Sequence, residues 1–378
     1  MPERFKLVAT ASRGTEDILA DELRALGLTG IRQRRGAVEF RGSLVEGLRA
    51  CIELRTAMRV LLPIGEVAAP DANGLYEGLR ALPWTRHLDL RRTFAIDVSG
   101  SSEGLTHTLF VAQKAKDAIV DTLRERFKAR PDVNVKDPDV RVVLHLHAGK
   151  ADVSLDLAGD SLHRRGYRVR PHPASLKETL AAAIVLASGW KGDVPLADPM
   201  CGAGTLAIEA ALFAEGRAPN ARRRFGAERW PSFGEREQAA LEELRQAALA
   251  RPRKTRAAIQ ASDRDPDAIE GLKQNAKRAG VQLILSVADV RELQPLDPPG
   301  YVITNPPYGG RAGGGGGGKQ LKSFFHALGQ NARTLHGHTL CYLAGSEDFE
   351  SAFAMRPATT RALYNGPIAC ELLTYHVR

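Results

Sequence analysis

Apolar and polar residues alternate from the start of the chain: residues 5–9, Phe-Lys-Leu-Val-Ala, present two faces as a strand does. The period then lengthens. Across 15–26, Ile18, Leu19, Leu23 and Leu26 fall on one side of a helix. A strand near 36–40 follows, then a helix from Ser43, whose hydroxyl and the Glu46 carboxylate make a reciprocal N-terminal cap. This alternation predicts a small ferredoxin-like α+β unit over 1–60.

A second α/β module is predicted over 61–160. Residues 93–98 read as a strand and 108–127 as a helix with Gln113, Lys114 and Lys116 near its start. Residues 140–147 and 151–157 alternate on either side of Ala148-Gly149-Lys150, which predicts a hairpin. His145 and His147 share a strand face there, but with no acidic or thiolate companion in the pattern they read as ordinary polar residues, and no metal is expected.

Further on, apolar strands run repeatedly into a polar end. Residues 194–197 form a short buried strand leading into Asp198-Pro199-Met200-Cys201-Gly202-Ala203-Gly204-Thr205 and the helical run 206–212. Strand 259–263 ends in Asp263 before a helix over 266–276, and residues 286–289 end in Asp289. A fourth strand, 301–304, runs into Asn305-Pro306-Pro307-Tyr308. Strands and helices in alternation predict a parallel, Rossmann-like α/β sheet whose carboxyl edge gathers these ends.

Composition narrows the setting. A chain of 378 residues implies two or three domains, and 43% apolar residues is ordinary for a globular fold. The net charge of +9 and pI near 9.5 favour a polyanionic partner. The four cysteines, Cys51, Cys201, Cys341 and Cys370, are scattered without C-x-x-C spacing, which argues against zinc or a disulfide framework and for a reducing cytoplasm. Residues 1–20 carry several charges and no long apolar run, so neither a signal peptide nor a membrane partner is expected.

Strand, Gly-rich turn and helix in that order make a nucleotide-cofactor cradle. Gly202 and Gly204 would let the backbone approach a ligand, with Asp198, Pro199, Cys201 and Thr205 around it. The pattern is not G-x-G-x-x-G, whose acid follows after about 20 residues; Asp263 lies much further on, so an insertion must intervene. Asp263 then fits a ribose-binding acid and Asp289 an acid for the adenine amine, although each alone could be a helix N-cap. Asn305-Pro306-Pro307-Tyr308 suits methylation of an exocyclic amine by a methyl sulfonium. The Asn305 side-chain carbonyl and the Pro306 backbone carbonyl can accept the amine hydrogens. The tandem prolines stiffen the turn, and Tyr308 offers a face on which a base can stack. Taken alone, the same four residues also read as a plain turn after a strand.

Several strings together settle the comparison with known families. They are Leu162-His163-Arg164-Arg165-Gly166-Tyr167-Arg168, Leu176-Lys177-Glu178-Thr179-Leu180-Ala181-Ala182-Ala183, the run from Asp198 to Thr205, Arg224-Phe225-Gly226 with Trp230-Pro231-Ser232-Phe233, Asn305-Pro306-Pro307-Tyr308-Gly309, and Tyr364-Asn365-Gly366-Pro367-Ile368. With them the chain resembles the THUMP-domain RNA methyltransferases that use S-adenosyl-L-methionine, particularly the bacterial large-subunit rRNA guanine-N2 enzymes. The resemblance implies a Rossmann-like class I methyltransferase domain over 176–378. Before it come a ferredoxin-like unit (1–60), a THUMP domain (61–160) that grips RNA, and a basic linker (161–175).

The implied partner is RNA, 23S rRNA ahead of tRNA, with Asn305, Pro306, Pro307 and Tyr308 at the reacting amine. Arg164, Arg165 and Arg168 in the linker, with Arg170, are expected to contact phosphate, as are Lys114 and Arg223. Phe225, Trp230 and Phe233 are expected to anchor the insertion. Gly313 to Gly318 departs from the family's more charged loop, and is expected to be disordered without RNA, as a lid or as a spacer. Guanine N2 and adenine N6 are both exocyclic amines, so a DNA adenine-N6 enzyme stays open as an alternative, as does a non-catalytic RNA-binding ribosome-assembly protein. Some relatives carry a second, C-terminal methyltransferase; ending at Arg378, this chain is expected to hold one activity. Nothing in the sequence speaks to oligomeric state.

Overall fold

The computed structural model describes residues 3–169, 176–252, 255, 257–308 and 317–378. The chain forms two compact units, the first made of Met1–Thr10, Ala20–Leu162 and Asn220–Ala247, the second of Ala11–Leu19, His163–Pro219 and Ala248–Arg378. Among the described residues, no helix is long and apolar enough to cross a membrane.

The strands of the first unit are β1 (Phe5–Thr10), β2 (Thr29–Arg34), β3 (Ala37–Gly42), β4 (Arg59–Ala68), β5 (Phe94–Gly100), β6 (Val140–His147) and β7 (Lys150–Asp156), ordered β2-β3-β1-β4-β7-β6-β5. The helices α1 (Glu16–Ala25), α2 (Leu44–Glu53), α3 (Ala72–Arg80) and α4 (Thr108–Phe127) intervene in the chain. Alternate residues of these strands are buried, Leu7 and Ala9, Val38 and Phe40, Val140 to Leu146 in steps of two, as a half-covered sheet requires. The cap at Ser43 forms as read: its hydroxyl accepts from Glu46 N–H (3.2 Å), and a Glu46 carboxylate oxygen accepts from Ser43 N–H (2.7 Å). Arg59 joins buried Asp156 to Asp97, 2.8 Å away, and Arg141 holds the other Asp97 oxygen at 2.9 Å, so charges on four strands neutralise one another.

The second unit is built on β8 (Leu196–Asp198), β9 (Ile259–Asp263), β10 (Ile284–Val287), β11 (Tyr301–Thr304), β12 (Thr339–Ala344), β13 (Thr359–Asn365) and β14 (Ile368–His376), ordered β10-β9-β8-β11-β12-β14-β13. β10 through β12 run parallel, while β14 and β13 are antiparallel to their neighbours. Its helices are α5 (Glu178–Ala187), α6 (Thr205–Ala214), α8 (Pro266–Ala279), α9 (Gly317–Ala332) and α10 (Asp348–Phe353), with α7 (Glu235–Ala250) lying between α6 and α8 in sequence. Successive strand residues enter opposite cores. Ile303, Cys341 and Leu343 join the cluster with Ile184, Ala207 and Leu272; Val302, Leu340 and Tyr342 join the one with Phe325, Phe349 and Phe353. Burial on both faces explains why these strands read as apolar runs with no alternation.

The strand order reverses between β8 and β11, the position at which open α/β sheets bind ligands beyond their carboxyl ends. Part of the insertion between α6 and β9 behaves differently from the predicted single domain over 176–378, because residues 220–247 pack within the first unit. Asn220 donates to the Cys51 carbonyl at 3.0 Å, Gly226 N–H to the Ala158 carbonyl at 3.1 Å, and Arg229 pairs with Asp137 at 2.9 Å.

β8 and β11 are held together at their entry as well. Tyr301 N–H donates to the Pro195 carbonyl at 2.9 Å, and a Cβ added to Gly300 would lie 2.0 Å from that oxygen. Gly300→Ala is therefore expected to lower stability by about 1–3 kcal/mol, the usual cost of overpacking, read as a lower midpoint in urea unfolding.

Candidate active site

The site begins where β8 ends. Asp198 is 1% exposed and accepts a hydrogen bond from the Thr304 hydroxyl at 2.7 Å. Burial pushes its carboxyl up to about 7, with the Asp263 charge adding to the rise, while the Thr304 hydroxyl and the Met200 N–H oppose it. Beyond it the chain turns through Cys201, Gly202 and Gly204 into α6. Gly204 caps that helix at φ +77°, and a Cβ there would fall 1.9 Å from the Leu272 side chain, so only glycine fits. Gly202, at φ +49°, instead faces open space. Burial raises the Cys201 thiol far above its ordinary range, which leaves it inert.

Asp263, at the end of β9, accepts from Gly202 N–H at 2.9 Å and from Asp265 N–H at 3.1 Å, which fixes the glycine turn to the neighbouring strand. A carboxylate has further acceptor positions, so Asp263 keeps capacity for a ligand hydroxyl. Asp289 caps the short turn Val290–Glu292, and the Arg291 side chain, 2.9 Å away, holds its carboxyl down at about 2. Both of its oxygens therefore already serve Arg291, Oδ1 accepting from Nε and Oδ2 from Nη2 at 2.5 Å.

At the end of β11, Asn305 Oδ1 is buried with no hydrogen-bond partner among the described residues. A buried acceptor left unpaired costs free energy unless something donates to it. Pro306 is buried and Pro307 half-buried. Tyr308 departs from the sequence reading. Its ring is 2% exposed, its hydroxyl accepts from Asn365 Nδ2 at 2.8 Å, and a Cβ on Gly345 would lie 2.5 Å from the ring. The expected open stacking face is thus core, because the chain ends of β12 and β13 close over it.

The residues expected at RNA fall into different surroundings. Arg164 is exposed. Arg165 is not available to a phosphate: its guanidinium side chain is 1% exposed and lies 3.6 Å from buried Glu209, which also accepts from the Tyr167 hydroxyl at 3.1 Å. Arg168 points inward too, donating to the Leu176 carbonyl at 2.8 Å and to Thr205 Oγ1 at 3.2 Å. Arg223 donates to the Ser161 and Asp160 carbonyls at 2.9 and 2.8 Å, as a brace within the first unit. Lys114 lies over the Tyr76 ring at 5.0 Å. Phe225 and Trp230 are buried as anchors and Phe233 is half-buried. Arg170, Gly309 and Gly313 to Gly316 lie outside the described residues, while Gly317 and Gly318 open α9.

The structure also supplies companions that the sequence pattern hid. Glu66 and Asp152 bring carboxylate oxygens within 4.8 Å of His147 and of each other, although the Lys150 ammonium already lies 2.7 Å from Glu66. Thr304, Asn365 and Asn275 were not singled out for a role. Asn275 donates to the Ala203 carbonyl at 3.0 Å and accepts from Val169 N–H at 2.9 Å, tying α8 to the glycine turn. Its only sequence signal was a polar residue on the apolar side of a helix.

A glycine turn open at Gly202, acids at three strand ends and an Asn305 carbonyl with no partner among the described residues, at the strand-order reversal, fit an adenosyl cofactor and define the class: an S-adenosylmethionine-dependent methyltransferase. Residues 165–374 match the RMKL-like methyltransferase domain, 69–156 the THUMP domain and 6–61 the RlmL ferredoxin-like domain. The ribosomal RNA large subunit methyltransferase K/L of Syntrophotalea carbinolica is 39% identical over 398 residues, a match covering 100% of this chain and 54% of that protein. The chain spans about half the length of the curated relatives it matches. Among solved structures, SMU.472 complexed with SAH is 30% identical with a TM-score of 0.89, over 100% of this chain and 99% of that one. A Listeria monocytogenes protein described as a predicted N6-adenine-specific DNA methylase is 29% identical with a TM-score of 0.85, over 100% and 97%. The chain belongs to the RMKL-like methyltransferase family and carries its THUMP and ferredoxin-like domains.

Asp198 also gives the stability a pH dependence. A carboxyl raised from 3.8 to about 7 on folding contributes stability that is full below about pH 4 and is lost as pH rises through about 7. Asp198→Asn removes that titration. Its stability relative to the unsubstituted protein is expected to improve by about 2–3 kcal/mol between pH 5 and pH 8, measured by urea unfolding without ligand; a gap independent of pH refutes it.

Proposed function

We propose that this chain transfers a methyl group from S-adenosyl-L-methionine to the exocyclic N2 amine of a guanine in RNA, 23S rRNA in particular, and does so in the cytoplasm. The observation that carries the reading is the buried Oδ1 of Asn305, without a hydrogen-bond partner among the described residues, at the carboxyl end of the strand beside the one that carries Asp198. The name of the Syntrophotalea relative, the THUMP match and the net charge of +9 support RNA as the substrate.

When bound, the cofactor supplies an electrophilic methyl on a positively charged sulfur. The protein's part is alignment and electrostatics. Gly202 leaves room for the donor against the backbone, and Asp263 offers acceptor capacity for its ribose. Asn305 Oδ1 and the Pro306 carbonyl accept the two amine hydrogens, which draws the nitrogen lone pair toward the methyl and meets the positive charge that grows there. The tandem prolines hold both carbonyls in place, and alignment of this kind can supply about 7–11 kcal/mol. The base must leave its stack to reach this edge. No strong general base is required, since the methylated amine is acidic and sheds its proton to Asn305, a carbonyl or water.

A second reading, methylation of an adenine amine in DNA, is favoured by the description of the Listeria relative and by the Asn-Pro-Pro-Tyr turn itself. Labelled methyl donor supplied with separate rRNA, tRNA and DNA pools, followed by nucleoside analysis, separates the two. Label as N2-methylguanine in rRNA is expected; label confined to DNA overturns the proposal. Asn305→Ala should slow single-turnover methylation by about 10²–10³-fold, by comparison with the loss of one preorganised hydrogen-bonding group elsewhere, while cofactor affinity stays within about twofold. A near-normal single-turnover rate would remove Asn305 from its role.

A further inference from the structure

The string Tyr364-Asn365-Gly366-Pro367-Ile368 has no part in the cofactor cradle, yet it reaches the turn that carries the Asn305 and Pro306 carbonyls. Asn365 closes β13 and pairs with Ile368 at the start of β14, so Gly366 and Pro367 alone make the connection. A two-residue hairpin turn favours positive φ, which Gly366 supplies at +64°, and it fixes the face on which Asn365 lies. That face is the inner one. Asn365 is 8% exposed, and its Nδ2 donates to the Tyr308 hydroxyl at 2.8 Å. The same strand is anchored further back, where Arg361 pairs with both Asp17 oxygens at 2.8 Å. Asn305 is thereby bracketed by two hydroxyl contacts, Thr304 to Asp198 before it and Tyr308 to Asn365 after it. Between Asn305 and Tyr308 stand only the two prolines, whose rings fix φ. A turn tied at both ends and locked between them can move its carbonyls little.

We propose that Asn365 is a positioning residue for methyl transfer: it locks Tyr308 into the core, and Tyr308 serves as the far anchor of the amine-binding turn rather than as a stacking face for the base. This rests on the reading of Asn305 and Pro306 as acceptors for the amine hydrogens. The Tyr308 ring is 2% exposed, and a Cβ on Gly345 would lie 2.5 Å from it, so no face is left for a nucleobase. Swinging the ring out would break the bond from Asn365, strand a buried amide donor and leave a cavity in the core, each of them costly. Asn365 touches neither donor nor base and acts through Tyr308. Its weight falls on rate, because catalysis here depends on alignment and a displacement of about 1 Å can cost about 10²-fold.

The test separates an anchor from a stacking face. Full-length variants are compared in single-turnover methylation of in-vitro-transcribed 23S rRNA, with the RNA concentration at half-saturation and calorimetric affinity for S-adenosylmethionine measured alongside. Tyr308→Phe keeps the ring and loses the hydroxyl; Asn365→Leu keeps the size and loses the donor. Each should slow the saturated rate by about 10- to 100-fold, with RNA half-saturation and cofactor affinity within about twofold. The double variant should be no more than about twofold slower than the slower single one, since both remove the same contact. Asn365→Asp should recover part of the rate, because a carboxylate can accept a bond that the Tyr308 hydroxyl donates. A normal rate for Tyr308→Phe, a loss confined to RNA half-saturation, or losses that multiply in the double variant would overturn the anchor, as would a parallel loss of cofactor affinity, the mark of a general brace. Asn305→Ala runs beside them: if it is slow while Asn365→Leu is normal, the anchor alone fails, and if it is as fast as the unsubstituted protein, the amine-binding reading fails and the anchor with it.

Discussion

One buried hydrogen bond organises the catalytic end of this molecule. The Thr304 hydroxyl donates to Asp198 where two parallel strands finish side by side, at the place where the order of the parallel strands turns back. Asp198 fixes the start of the glycine turn and Thr304 the residue before Asn305, so the elements assigned to donor and acceptor share a common origin. The bond has weight because it is dry. With Asp198 out of water, its carboxyl is pushed up to about 7, and the hydroxyl and the Met200 N–H offset only part of that desolvation. The strand entry at Gly300 and Pro195 fixes the same pair of strands at the other end.

Around that bond, the site is held by polar side chains that each bridge two elements. Asp263 joins β9 to the glycine turn, Asn275 joins α8 to the turn and to the linker, and Asn365 joins β13 to Tyr308. The result is a braced rim in which a few buried atoms have no hydrogen-bond partner among the described residues: Asn305 Oδ1, Glu178 Oε2 and Thr179 Oγ1. Rigidity with selected vacancies in hydrogen bonding is what preorganisation demands, since the groups need not reorient as charge develops.

Charge in the first unit and the linker is mostly used internally. Arg59, Arg141, Arg223 and Arg229 each meet a carboxylate or a backbone carbonyl within that unit, and Arg165 and Arg168 do the same within the second. The 53 lysines and arginines therefore overstate the number of cations ready for a phosphate backbone. A guanidinium carries five donors in a planar fork, which suits carbonyls and carboxylates of the protein as well as it suits phosphate.

The sequence by itself determined the local elements and the residues at the strand ends: the Ser43 cap, the β6–β7 hairpin, the parallel strands running into Asp198, Asp263 and Asp289, and the Asn-Pro-Pro-Tyr turn proposed to bind the amine. Those features are written in periods of two and 3.6 and in the few residue types a tight turn or cap accepts, so neighbours in sequence suffice to read them. Only the tertiary structure decided that Tyr308 is packed under Gly345 and held by Asn365, that Arg165 and Arg168 turn inward, that residues 220–247 pack within the first unit, and that acids come to lie beside His147. In each case the partner is far away in the chain, and a long polar or aromatic side chain shows the same pattern in sequence whether it faces water or a buried partner.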